Sequence, residues 1–305
     1  MSMRKLNDLT VIIPIFNRAQ ELIRALDSLA LQTDLDFDVI VCDDGSTENI
    51  RVVVLGYEDR LRIRYFRSET SQGPGSARNV GIKSAQTTWV SFLDSDDWWF
   101  PSRIKQIREF LDDEFEVVYH QLQVERLDNS IRANPKHGSL MGIPITEPDV
   151  VFSMIRRGNP LPTSATTVKR QLLLDVGCFN ISTCVMGVED FECWMRLAIQ
   201  GAKFKFLPKA LGSYFVGGSQ LSTMDFLHYK RYFNLYRLFL GILPGHYISF
   251  ARSKYSYQLG VLALRVDRAV AKEHFRQLSI PRQPLLCLKG ILRIWQFRLY
   301  HFLGR

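Results

Sequence analysis

The sequence predicts an α/β protein: a mostly parallel sheet flanked by helices, followed by a helical C-terminal extension. Three observations lead there. Across the first hundred residues, short apolar, β-branched runs alternate with helical stripes at regular spacing. Acidic and glycine residues fall repeatedly at the carboxyl ends of those runs, the edge at which open α/β sheets bind ligands. The chain has 305 residues, 46% hydrophobic and 23% charged, enough for one large or two modest cores and unlike disordered, collagen-like or coiled-coil sequences.

Thr10 to Ile15 (TVIIPI) reads as a buried strand, and Arg18 to Leu31 as a helix with an apolar stripe at Leu22, Ile23, Leu26 and Leu29. Asp38 to Cys42 is the second strand, closing on a turn at Asp43, Asp44 and Gly45, with Ser46 or Thr47 placed to cap the next helix. Ile63 to Phe66 is the third strand. A helix over Gly75 to Ser84 follows, reached through the Gly-Pro-Gly turn at Gly73 to Gly75, and Trp89 to Leu93 is the fourth strand, ending in Asp94-Ser95-Asp96-Asp97. Beyond Pro101 the pattern weakens: a helix over Ser102 to Leu111, a strand at Val117 to Tyr119, then a loop-rich span containing Asn134, Pro135, Gly138, Pro144 and Pro148. Order returns near Thr163 to Val168 and in the helical pattern Asp190 to Ile199.

Five cysteines (Cys42, Cys178, Cys184, Cys193, Cys287) are odd in number and scattered, without a C-x-x-C pair. That argues against a disulfide framework and a structural zinc site, and fits a reducing compartment. Met1 to Asp8 is polar and no run of about 18 uncharged apolar residues occurs, so a cytoplasmic protein is expected. Net charge is +8, but from Leu221 to Arg305 there are 14 Lys and Arg against three acids, a local net of +11, which leaves −3 for the first 220 residues. The basic character belongs to the C-terminal part.

The quartet Asp94-Ser95-Asp96-Asp97 places three carboxylates within four residues of a strand end. Such crowding needs a cation or well-placed donors; Mg²⁺ or Mn²⁺ fits, since these ions keep one or two protein carboxylates and fill their shell with substrate phosphate and water. The alternative is a solvated turn leading into a helix N-cap.

Thr10 to Asn17 (TVIIPIFN), Val41 to Thr47 (VCDDGST), Gly75 to Gly81 (GSARNVG), Phe92 to Trp99 (FLDSDDWW) and Gly187 to Leu197 (GVEDFECWMRL) stand in the order and spacing of one family. Over about Leu9 to Ser222 the sequence resembles family 2 glycosyltransferases. The resemblance implies a GT-A fold, a UDP-sugar donor, Mn²⁺ or Mg²⁺ as cofactor, and inversion at the anomeric carbon by single displacement. It places a catalytic domain over 1–220, with a nucleotide-sugar half at about 8–100 and an acceptor half at about 101–220, ahead of a basic helical region over 221–305. It assigns Pro14, Phe16 and Asn17 to the loop around the donor base, Asp44 to reading uracil, and Arg78 to the neighbourhood of base and diphosphate. Asp94 and Ser95 fall beside the donor, with Asp94 near the ribose, and Asp96 on the metal. Asp190 matches the general base that takes the acceptor's proton. From the residues alone, Glu189 and Asp190 could equally be acids favoured at a helix N-terminus, where a carboxylate is expected to be depressed in pKa.

Trp98 and Trp99 could stack on a sugar or belong to the core, and Trp194 reads as a packed helix face. The Gly217 to Ser222 segment resembles one that closes over the diphosphate in many relatives, though without the histidine ligand that some supply. The six histidines show no ligand spacing. The C-terminal region interleaves cations with rings, as at Arg231, Tyr232, Phe233, Tyr236, Arg237 and Phe239 and again over Leu288 to Phe302, which fits either a helix on an anionic membrane face or a plain helical subdomain.

The expected function is therefore a metal-dependent inverting hexosyltransferase in bacterial surface-polysaccharide assembly (O-antigen, capsule or exopolysaccharide). Its acceptor would be an oligosaccharide or a polyprenyl-diphosphate-linked sugar, and the protein would lie peripherally on the inner face of the cell membrane. The competing readings are a transferase for a soluble or protein acceptor and a non-catalytic membrane-surface module. Nucleic acid is disfavoured by the acidic strand ends. A G-x-S-x-G hydrolase motif is missing, Pro14 to Arg18 stand where a dinucleotide enzyme needs G-x-G-x-x-G, and the D-x-D lacks the Thr or Val of an aspartyl-phosphate phosphatase.

Overall fold

The sheet grows outward from β1 (Leu9–Ile15), whose seven residues are all buried. In this computed structural model, residues 8–112, 114–126, 140–217, 226–264, 266–278, 288–289 and 292 are described. Asn134, Pro135, Gly138, Gly218 to Ser222, Cys287 and the run 288–305 apart from Leu288, Lys289 and Leu292 lie outside them.

After β1 come α1 (Ala19–Ala30), β2 (Asp38–Asp43), α2 (Ile50–Leu55), β3 (Arg62–Arg67), α3 (Pro74–Ser84), β4 (Trp89–Phe92), β5 (Trp98–Trp99), α4 (Arg103–Arg108), β6 (Val117–Arg126) and β7 (Leu140–Met141). Then follow α5 (Val150–Arg157), a 3₁₀ turn (Thr163–Ala165), β8 (Thr166–Lys169), α6 (Arg170–Asp175), α7 (Glu189–Ile199), β9 (Phe204–Val216), α8 (Phe226–Ile242), α9 (Gly245–Ala263) and α10 (Arg268–Arg276).

Contacts divide the chain into two units. The first comprises Met1–Val150, Asn159–Ile181 and Glu189–Gln220, and the second Val151–Gly158, Ser182–Val188 and Leu221–Arg305.

In the first unit the strands run in the order β3-β2-β1-β4-β8-β6-β9-β5, with β7 on β6. The pairs β3-β2, β2-β1 and β1-β4 are parallel, as alternation with helices requires. In the second half antiparallel pairs join the sheet: β8 is antiparallel to both β4 and β6, and β5 to β9, while β6 and β9 are parallel. β6 extends to Arg126, well past the expected Tyr119, and β9 was not foreseen, because polar residues from His120 onward in β6, and Pro208 and Gly212 in β9, break the apolar runs, and the two strands pair only across a long separation in the chain.

α1 lays Leu22, Ala25, Leu26 and Leu29 into the core with Val11, Ile13, Val39 and Val41. α3 lies close on the sheet at Gly81, where a Cβ would come within 2.5 Å of Ile12 Cγ2 and 3.1 Å of Cys42 Sγ. Arg103 of α4 is fully buried with no carboxylate partner among the described residues, donating to Ser91 Oγ at 3.0 Å, Thr167 Oγ1 at 2.9 Å and His120 Nε2 at 3.3 Å over the Trp99 ring. This knot ties α4 to β4, β6 and β8.

In the second unit, Gly260 of α9 meets Phe275 of α10 so closely that a Cβ would stand 2.6 Å from the ring. Asp267 caps α10, accepting from the N–H groups of Ala269 and Val270. Tyr236 of α8 stacks on Tyr255 of α9 with ring centroids 4.1 Å apart. No helix among the described residues is long and apolar enough to cross a membrane.

Candidate active site

The carboxyl ends of β1, β2 and β4 meet the start of α7. Pro14 lies inside β1, paired with Cys42, within the strand read from the sequence and at the edge of the loop to which the resemblance assigns it. Phe16 is 46% exposed beyond it. Asn17 adopts φ +51° and joins two loops. Its N–H donates to Ser46 Oγ at 2.9 Å, and its Oδ1 accepts from Thr47 N–H at 2.8 Å and Thr47 Oγ1 at 3.0 Å. Ser46 and Thr47 are thus committed to Asn17, and α2 starts after Asn49 with no side-chain cap, contrary to the sequence expectation.

Asp44 is buried and accepts from Ser71 Oγ (2.6 Å), Gln72 N–H (3.0 Å) and Gly73 N–H (2.8 Å), so it shapes the loop into α3. Gly73 supports that turn at φ +92°. Asp43 belongs to β2, its carboxylate accepting from Tyr65 Oη and Ser46 N–H.

The three aspartates after β4 have different partners. Asp94 Oδ1 accepts from Arg78 Nη2 at 2.7 Å, and Arg78 Nη1 reaches Glu189 Oε1 at 2.9 Å. Arg78 is therefore buried between two acids, bridging the D-x-D turn to α7, and its Nε finds no partner among the described residues. Asp96 Oδ2 accepts from Arg18 Nη1 and its carbonyl from Arg24 Nη2. Burial, then Asp94, push the Asp96 carboxyl above its ordinary value against the pull of Arg18. Asp97 is buried, accepting from Ser164 Oγ (2.5 Å) and Phe215 N–H (3.0 Å); burial, then Asp94 and Asp96, raise it well above the carboxylate range. Ser95 is buried within the turn.

Ser164 Oγ also accepts the Asp94 N–H at 3.0 Å, and its carbonyl accepts from Trp99 Nε1 at 2.7 Å. Trp99 is core, while Trp98 is partly buried beneath Arg24. Trp194 packs against Phe92 and Phe179.

Asp190 opens into a ring of donors. Asn159 Nδ2 (2.8 Å) and Thr163 Oγ1 (3.2 Å) both bond Oδ2, and the Phe191 N–H bonds Oδ1 at 2.7 Å. Burial, then Glu189, push its pKa up to about 6, overriding the Phe191 N–H and Arg78. The expected depression by the helix N-terminus is corrected, because desolvation and a neighbouring negative charge exceed a single backbone donor. Glu189 is bound to Arg78, so the structure separates two acids that the residues alone left equivalent.

The sequence reading missed Arg18, Arg24, Asn159, Thr163 and Ser164. Arg18 adjoins a motif residue and Thr163-Ser164 precede a strand, but nothing local marks Asn159.

A model of glycosyl transferase family 2 matches residues 10–185. The chain belongs to family 2 of the glycosyltransferases. An uncharacterized glycosyltransferase of Haemophilus influenzae is 27% identical over 192 residues, covering 62% of this chain and 61% of that protein. The succinoglycan biosynthesis protein ExoO of Rhizobium meliloti is 33% identical over 124 residues, 41% of this chain and 34% of that protein. The chain spans 17% to 65% of the length of the first curated relatives it matches. Among solved structures, S. aureus TarS in complex with UDP-GlcNAc superposes with a TM-score of 0.63 at 21% identity, over 93% of this chain and 79% of that one. The mannosyltransferase PcManGT of Pyrobaculum calidifontis, in complex with GDP-Man and Mn²⁺, gives 0.59 at 17% identity, over 96% and 82%. The fold is GT-A.

Among the described residues no three acidic, histidine or cysteine side chains converge as a standing metal site would require. With Asp94 on Arg78 and Asp97 on neutral donors, Asp96 offers one carboxylate. That donor set fits an ion whose remaining ligands come with a diphosphate and water.

Proposed function

We propose that this glycosyltransferase moves a hexose from a UDP-sugar to a hydroxyl of a lipid-linked or growing oligosaccharide, with metal dependence and inversion, during assembly of a bacterial surface polysaccharide. The observation that carries the reading is the division of labour between Asp96, an acid paired with the partly exposed Arg18, and Asp190, an acid raised to about 6. At neutral pH Asp190 is largely ionised and a stronger base than an ordinary aspartate, as proton removal from an attacking hydroxyl demands. Asp190 acting as the one base suits inversion by single displacement.

Asp96 would hold Mn²⁺ or Mg²⁺, which when bound stabilises charge on the departing diphosphate. Asn17 and Asp44 hold the two loops around the uracil, Phe16 offers an exposed ring there, Pro14 fixes the strand end, Asp94 and Ser95 border the ribose, and Arg78 keeps Asp94 oriented. The TarS complex with UDP-GlcNAc, the PcManGT complex with GDP-Man and Mn²⁺, and the succinoglycan role in the name of ExoO support the donor class and the polysaccharide setting.

The catalytic domain is read as residues 1–220, and the basic region 221–305 as a peripheral attachment to the inner membrane face. Exposed Leu227, Leu238 and Ile242 recur at helical spacing along α8 with Lys230 and Arg237, which supports that placement.

The test is a panel of UDP- and GDP-sugars with Mn²⁺ and a lipid-diphosphate-sugar acceptor, following nucleotide release, with calorimetry of UDP and Mn²⁺ on wild type and Asp96→Ala. Metal-stimulated UDP binding that survives Asp96→Ala unchanged removes Asp96 from the metal shell, and release with GDP-sugars alone overturns the UDP assignment.

A further inference from the structure

Two arginines, Arg18 just ahead of α1 and Arg24 within it, hold the same aspartate. Arg24 donates to the Asp96 carbonyl at 2.5 Å and is clamped between rings, its guanidinium 4.3 Å from the centroid of Trp98 and 4.5 Å from that of Phe215. Arg18, just ahead of α1, donates to the Asp96 carboxylate itself, and 26% of its side chain remains exposed. The other two acids of the turn are settled on Arg78, Ser164 and the Phe215 N–H. Asp96 is thus the carboxylate whose compensation comes from a partly exposed cation.

A guanidinium and a divalent ion compete for the same carboxylate lone pairs and repel each other. Metal arriving alone would gain one protein carboxylate and displace a charge-assisted hydrogen bond. Metal arriving with a nucleoside diphosphate brings its own anionic ligands, and the same anions offer Arg18 a planar, bidentate destination.

We infer that Arg18 is the built-in counter-ion of Asp96: it excludes divalent metal until a nucleoside diphosphate is present and then transfers from the carboxylate to the diphosphate. Arg18 is on this account a positioning residue that orders metal binding after or with the donor. The inference rests on the donor reading above.

The test is titration of the full chain with Mn²⁺, followed by electron paramagnetic resonance, with and without UDP. It uses wild type, Arg18→Gln, Arg18→Lys, Asp96→Asn and the Arg18→Gln/Asp96→Asn double variant. Wild type binds Mn²⁺ weakly alone and more tightly with UDP. Arg18→Gln binds Mn²⁺ alone at least about tenfold tighter, because a nearby positive charge is gone, and its gain from UDP shrinks by a similar factor. Arg18→Lys, which keeps the charge but not the fork, lies between the two and serves if the glutamine variant does not fold. On the Asp96→Asn background the Arg18 change has no effect. Superimposable curves for wild type and both Arg18 variants overturn the inference, as does an Arg18 effect that persists without the Asp96 carboxylate. Absence of any UDP-dependent Mn²⁺ binding in wild type refutes the donor reading and this inference with it, an outcome distinct from superimposable but UDP-dependent curves.

Discussion

Asp190→Asn separates a prepared base from an ordinary helix-start acid through stability as well as rate. The wild-type carboxyl is raised from 3.8 to about 6 by burial and Glu189. The folded state therefore holds this proton more tightly than the unfolded state, and ionisation above pH 6 is a standing cost to the fold. At about 1.4 kcal/mol per pKa unit that cost is about 3 kcal/mol, full above about pH 6 and gone below about pH 4. An asparagine never carries it.

The amide oxygen can keep the bonds from Asn159 and Thr163, but its NH₂ then faces the Phe191 N–H, at a loss of about 1 kcal/mol. That loss is independent of pH and shifts the comparison without tilting it. Urea denaturation of both proteins between pH 4 and pH 8 should show the variant gaining relative to wild type as pH rises, by about 3 kcal/mol across the range. Turnover should fall at least about 10²-fold, with UDP affinity retained. Wild-type kcat/KM should drop about tenfold per unit below pH 6. A stability difference that stays flat with pH, within about 0.5 kcal/mol, would refute the raised Asp190; a rate loss larger in Glu189→Gln would move the base one residue upstream.

Arg78→Met leaves Asp94 and Glu189 without their shared cation and should cost about 3–5 kcal/mol by thermal or urea unfolding, partly recovered by adding Glu189→Gln. Ser164→Ala removes the donor to Asp97 and the acceptor of the Asp94 N–H, so we expect about 1–3 kcal/mol of destabilisation and weaker metal-stimulated UDP binding by calorimetry. Gly81→Ala should destabilise by about 1–3 kcal/mol in the same unfolding assay, since its Cβ would overlap Ile12 in the α3–β1 contact. Removing residues 285–305 should reduce sedimentation with anionic liposomes, and activity on a lipid-linked acceptor more than on a short soluble analogue; equal loss of both activities would make the segment part of the fold instead.

Local pattern and motif identity carried much of this protein. The β-branched runs of β1, β2 and β4 and the stripe of α1 are legible because each carries its burial pattern within a few consecutive residues, and β1, β2 and β3 are joined by single helical crossovers. The D-x-D turn, Asp44, Asn17 and Asp190 are legible as motifs, and so is the family. What the chain could not show was set by pairings across long separations: Arg18 with Asp96, Ser164 with Asp97, Arg78 with Glu189, and the antiparallel β8 inserted between β4 and β6. The charge state of Asp190 depended on the same thing. A helix N-terminus, visible in sequence, lowers a carboxylate pKa; burial, visible only in three dimensions, raises it further together with the adjacent Glu189. Desolvation is a property of everything packed around a group, so no local stretch of residues encodes it.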